Sequence, residues 1–249
     1  MKRGLTDLAG PSAGGGEGSP YRLRPEPVFN VPGLVVVLIA LMWGIFLVEQ
    51  VLPIEARVWM LLHFSFIPAA LSLFGQLDPA SQVAVLASLV THTFLHAGFL
   101  HVGFNSLWLL AFGSYMVRRQ RAHEFLALYF LSGIGGALAF YATEPGSEVP
   151  VVGASGAISG LMGAAARLFF LPGVRIFGSD AVAPQLLSVT DRRVVAFTLV
   201  WTGINVLFGL AGGFGLAGEG VSIAWAAHLG GYFTGLFAVP FFLRRRLVV

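Results

Sequence analysis

Ser155, His228, His101 and Asn105 are polar residues set in stretches that are otherwise almost wholly apolar. A serine hydroxyl is a weak nucleophile until a base lies within reach, and acyl transfer also needs donors aimed at a developing oxyanion. An imidazole can be that base. The unpaired N–H groups of a helix's first turn, joined by imidazole or carboxamide donors, can serve the oxyanion. Ser155 stands in Gly153-Ala154-Ser155-Gly156 at the head of an apolar run, which makes the Ser155 N–H and its neighbours Gly153 and Ala154 candidates for the oxyanion side. His101 and Asn105 are four residues apart and so share one helix face. His228 lies in Ala227-His228-Leu229-Gly230-Gly231. No Asp or Glu lies near this depth within an apolar stretch, so the arrangement expected is a dyad of Ser155 and His228 without a carboxylate third member. The chain has no cysteine, which excludes thiolate nucleophiles, thiolate zinc sites and disulfides.

The elements that must position these groups follow from composition. Of 249 residues 56% are apolar and 11% charged, and the mean hydropathy is +0.81, whereas a soluble globule carries about a quarter charged residues. The bilayer is the solvent this composition calls for. A net charge of +3 and a pI near 9.7 would suggest nucleic acid only with basic residues clustered on a soluble face, and they are not so placed. Stretches of spanning length, about 20 residues each, fall at about 33–52, 99–117, 125–142, 155–172, 194–211 and 223–243. The run 58–75 tempts a seventh, but charge decides against it. With six spans and both termini in the cytoplasm, every basic residue except Arg57 lies inside. A span at 58–75 would push Arg118, Arg119 and Arg121 outward. Residues 53–97 are then a long outer loop with short helices in the interface, 1–30 a polar cytoplasmic tail, and Gly212–Val221 a glycine-rich outer connection.

Six alternating spans put the four polar residues at one depth. The second, fourth and sixth spans all run inward from the outer face, with His101 and Asn105, Ser155, and His228 in their outer parts. Small residues at Gly156, Gly160 and Gly163 and at Ala227, Gly231 and Gly235 supply the spacing that lets two helix backbones approach closely. Ser155 and His228 each sit one residue from such a stripe.

These residues resemble the rhomboid intramembrane serine proteases. The resemblance rests on Gly153-Ala154-Ser155-Gly156, on His96-Ala97-Gly98-Phe99-Leu100-His101-Val102-Gly103-Phe104-Asn105 and on Ala227-His228-Leu229-Gly230-Gly231, in that family's order on the second, fourth and sixth helices, and it covers about 33–243. It implies an all-α, six-transmembrane-helix rhomboid-like bundle over 31–246. It also implies Ser155 as nucleophile, His228 as general base and acid, His101 and Asn105 as oxyanion donors, and His96 as a structural residue at the mouth. The chain departs from the pattern at Ser159, where some members stack an aromatic ring on the imidazole, and at Ala87-Ser88, where a Trp-Arg pair is common.

Blander readings exist for each residue alone. A serine at a helix start is usually a cap, a buried histidine is more often packed than catalytic, and a glycine stripe is a packing device. His92, His96 and His101 could be asked to hold a metal, but Thr93 stands where a His-Glu-x-x-His site needs its glutamate, so no metal and no cofactor is expected. Paired-aspartate chemistry fails because no Asp lies in a span, and Asn205 is expected to satisfy itself against a neighbouring helix. Taken jointly, the residues lead to an expected serine endopeptidase that cuts transmembrane segments of other proteins near the outer interface. Its partners would be those substrates and the lipid bilayer, with no nucleic acid, and its location a bacterial plasma membrane. The alternative from another class is a non-catalytic relative that binds client helices without cutting them. A transporter is disfavoured by the lack of an internal repeat or a carboxylate relay.

Overall fold

A computed structural model describes residues 31–168, 186–210 and 225–243. The tail 1–30, Arg175, the connection Gly212–Val221 and the closing Arg244-Arg245-Arg246 fall outside the described residues. Helix α1 (Gly33–Val51) stops where Leu52 turns extended ahead of Pro53, which disfavours a helical residue before it. Three short helices follow, α2 (Ile54–Phe64), α3 (Pro68–Ser72) and α4 (Pro79–Thr91). The last is started by Asp78, whose carboxylate accepts from the Ala80 and Ser81 N–H groups at 3.0 and 3.2 Å, with Pro79 in the first turn. Helix α5 (Phe99–Trp108) continues through a π-helical turn (Leu109–Gly113) into α6 (Ser114–Val117), one rod of 19 residues. Helices α7 (Ala122–Thr143), α8 (Ser155–Ala166), α9 (Arg192–Leu210) and α10 (Trp225–Ala238) complete the set.

The described residues contain no β-strand beyond one isolated bridge, Phe66 to Val151. Two helices are shorter than their apolar runs. α8 ends at Ala166, with Arg167 as its C-cap, the rest of the run beyond Leu168 lying outside the described residues, and the Arg167 guanidinium is tied to the Leu187 and Leu236 carbonyls at 2.8 and 3.2 Å. α10 ends at Ala238 because Pro240 enters a 3-10 turn in its place.

Three of these helical runs, Gly33–Val51, Phe99–Val117 and Ala122–Thr143, are long and apolar enough to cross a membrane. The outward face of the first is apolar like its inward one. On α1, Val35, Leu38, Met42 and Phe46 are buried, while Val36, Val37, Leu47 and Val48 are all about half exposed, between 50 and 53%. Helix α8 is central, with every residue from Gly156 to Ala166 buried. α7, α8 and α10 approach so closely that glycine is required. A Cβ on Gly231 would come within 3.0 Å of the Gly156 Cα, one on Gly230 within 2.6 Å of the Gly135 carbonyl, and one on Gly136 within 2.6 Å of the Ala227 carbonyl.

The segment 53–97 also positions α8. Its Phe66 exchanges two backbone hydrogen bonds with Val151, at 3.1 and 2.8 Å, and the His92 carbonyl accepts from the Gly153 N–H at 2.9 Å. The segment entering Ser155 is thereby tied at Val151 and at Gly153.

Candidate active site

Ser155 opens α8 just after Ala154, the N-cap residue, whose side chain makes no capping bond. Its hydroxyl is not spent on the helix end. Instead Ser155 Oγ lies 2.9 Å from His228 Nε2, joining two residues 73 positions apart in the chain. The glycine contacts between α8 and α10 bring this about, since Ser155 and His228 flank the place where Gly156 meets Ala227 and Gly231.

The other face of the site is made by α5. Gly153 has φ +114°, a backbone conformation that glycine adopts at little cost. A Cβ there would fall 2.6 Å from His101 Nε2 and 3.5 Å from Asn105 Nδ2, so Gly153 leaves room for both side chains two residues ahead of Ser155. Hydrogen bonding settles how the His101 ring is protonated. The Ala97 N–H donates to His101 Nδ1 at 3.3 Å, so the neutral ring carries its proton on Nε2, the atom facing Gly153. Asn105 is buried, and its Nδ2 has no hydrogen-bond partner among the described residues. Together with the first-turn N–H of Ser155, these are three donors at the start of α8, His101 and Asn105 lying against Gly153.

Residues 83–245 match the family model of the rhomboid domain. The chain belongs to the rhomboid family. Among its relatives are YdcA of Bacillus subtilis, 38% identical over 133 residues (51% of this chain, 63% of that protein), and the rhomboid protease GluP of the same organism, 30% identical over 150 residues (60% and 25%). The rhomboid protease GlpG of Yersinia pestis is 30% identical over 157 residues, 63% of this chain and 48% of that protein. The chain thus spans less than two thirds of the length of each of these relatives. With its apolar helices, this rhomboid domain is an integral membrane protein.

The remaining residues singled out by sequence fall around this centre. Within the rhomboid domain, His96 packs edge-on against His101 with centroids 5.2 Å apart, and its Nδ1 donates to the Phe94 carbonyl at 3.2 Å. His92 Nδ1 donates to the Ser88 carbonyl at 2.8 Å. Burial pushes the His92 imidazole down to about 4, and burial with the neighbouring His101 pushes His96 down to about 3, so both are neutral at physiological pH. No group of three or more metal-ligating side chains gathers among the described residues.

Asn205, expected from the sequence only to satisfy itself against a neighbouring helix, does so at the imidazole. His228 Nδ1 lies 2.9 Å from Asn205 Oδ1 of α9, while Asn205 Nδ2 donates to the Trp201 carbonyl at 2.9 Å. Ser159, one turn after Ser155, is buried and brings no ring to the imidazole. The available signal for Asn205 was a polar side chain inside an apolar helix. Its partner depends on how α9 faces α10, which hydropathy does not encode.

Proposed function

We propose that this chain is an intramembrane serine endopeptidase that uses Ser155 as nucleophile and His228 as general base. The observation carrying this reading is the 2.9 Å contact between Ser155 Oγ and His228 Nε2. As Oγ attacks the scissile carbonyl carbon, its proton passes to Nε2 and the carbonyl π electrons move onto oxygen. That oxyanion is met by the Ser155 N–H, His101 Nε2–H and Asn105 Nδ2–H. Collapse expels the amine, which takes the proton back from His228. Water then repeats the sequence on the ester, releasing the acid and restoring the hydroxyl.

The setting we propose is six spans with both termini in the cytoplasm, a domain over 31–246 behind a tail at 1–30, in a bacterial plasma membrane. The positive-inside distribution of Arg and Lys supports that orientation. The substrates are membrane-spanning segments of other proteins, cut near the outer interface. A substrate helix has its amides already paired, so segments with Gly or Pro near the cut are favoured.

Protein reconstituted in vesicles with a single-span substrate tests this reading, wild type beside Ser155→Ala. Cleavage by wild type and none by Ser155→Ala supports it. If neither cuts, a non-catalytic client-binding role takes its place; if both cut, Ser155 is not the nucleophile.

A further inference from the structure

The dyad leaves open what holds the imidazole of His228, and a general base must present one nitrogen, unprotonated, to the hydroxyl it serves. We infer that Asn205 is a positioning residue that fixes the tautomer and the ring plane of His228. This inference rests on the reading of Ser155 and His228 as nucleophile and base.

The argument begins with the carboxamide. Asn205 contacts two groups, the Trp201 carbonyl and His228 Nδ1, each at 2.9 Å. A backbone carbonyl can only accept, so the amide nitrogen must face Trp201 and the amide oxygen must face the ring. An amide oxygen in turn can only accept, so His228 Nδ1 carries the proton. In the neutral ring Nε2 is then the bare nitrogen, and it lies 2.9 Å from Ser155 Oγ. One carbonyl of α9 thus determines, through two hydrogen bonds, that the atom facing the serine is an acceptor.

The helix carrying Asn205 is held in register by a second rung. Trp201 stacks on Tyr232 with centroids 4.4 Å apart and planes 16° off parallel, and the Thr198 hydroxyl lies 2.8 Å from the Tyr232 hydroxyl. Thr198, Trp201 and Asn205 follow one face of α9, and His228 and Tyr232, four apart, follow one face of α10. The aromatic rung therefore sets the height at which the carboxamide meets the imidazole. The Trp201 bond occupies only the amide nitrogen and is made within α9; the bond of the amide oxygen, to the ring, requires this alignment of two helices.

The test uses the reconstituted full chain with a single-span substrate and four proteins: wild type, Ser155→Ala, Asn205→Leu and Asn205→Asp. Leucine removes the acceptor at similar volume, whereas aspartate keeps an oxygen in its place. We expect Asn205→Leu to lower kcat about 10²-fold with KM nearly unchanged, the scale on which a misplaced general base is felt. Asn205→Asp should recover most of that loss. In parallel, nitrogen NMR of histidine-labelled protein should find the His228 proton on Nδ1 in wild type and in Ser155→Ala, and on Nε2 in Asn205→Leu. Wild-type turnover in Asn205→Leu, equal losses in the two Asn205 variants, or an Nε2–H tautomer in wild type would each overturn the inference. If wild type fails to cut, or Ser155→Ala cuts, the protease reading falls on its own and the NMR arm still decides the role of Asn205. Should Asn205→Leu not fold, the wild-type tautomer and Asn205→Asp turnover carry the decision.

Discussion

Two ways of holding helices together meet at His228. On one side α7, α8 and α10 touch backbone to backbone at glycines, with Gly231 set against Gly156 and Gly230 against Gly135. On the other, α9 meets α10 through side chains, by the Trp201–Tyr232 stack, the Thr198–Tyr232 hydroxyl pair and the Asn205–His228 bond. The difference separates distance from orientation. Backbone contact sets how far the Ser155 hydroxyl stands from the imidazole, and it cannot be loosened by degrees, because no side chain lies between to give way. Side-chain rungs set which way the ring faces, and they can be weakened one at a time while the bundle stays folded.

The sharpest way to break this contrast is Gly231→Val. Its β-carbon would press on the Gly156 backbone, so the loss should exceed about 4 kcal/mol, in the range left for changes the structure cannot absorb. The variant is expected to show no cooperative melting in detergent, and a normal melt would mean that the glycine contact is not needed. Next come the proposed oxyanion donors. Asn105→Ala should lower kcat by about 10²–10³ with the melting temperature held, the cost usual for one oxyanion donor. An unchanged rate would remove Asn105 from the site.

A third test concerns the clamp on the Ser155 segment, whose His92 carbonyl holds Gly153. The His92 imidazole is pushed down to about 4 by burial, from an ordinary value of 6.5. A folded-state value below the unfolded one means that the unfolded chain binds more protons between the two. Stability from this residue is therefore complete above pH 6.5 and falls away as the pH drops toward 4, by up to roughly 3 kcal/mol. The melting temperature should decline across that window, His96 extending the decline to lower pH, and a flat curve would refute the buried neutral state. The smallest effect belongs to the α9 edge. Thr198→Val removes one hydroxyl pair and should cost only about 0.6 kcal/mol, as is usual for interhelical hydrogen bonds in membranes. A loss as large as that of Gly231→Val would erase the distinction between the two sides.

Much of the arrangement was legible before any coordinates. Helices stand at Gly33–Val51, Phe99–Val117, Ala122–Thr143 and Arg192–Leu210, close to the apolar runs at 33–52, 99–117, 125–142 and 194–211. Hydropathy is a local property and marks such runs directly. The two runs that overshoot their helices, at 155–172 and 223–243, do so because an apolar count is blind to caps and to a proline entering the last turn. The short helices of 53–97 could be guessed from Asp78 and Pro68, but not their clamp on Val151 and Gly153, which pairs segments far apart in the chain.

From the order of residues alone come the medium, the helical runs, the small-residue stripes and the four polar groups, because each follows from composition and periodicity within a few turns. Which nitrogen of His228 faces the hydroxyl, that Asn205 answers the other one, and that Gly153 makes room for His101 and Asn105 were decided by packing. Those facts depend on rotation of one helix about its axis against another, and such a rotation is fixed by contacts between distant residues.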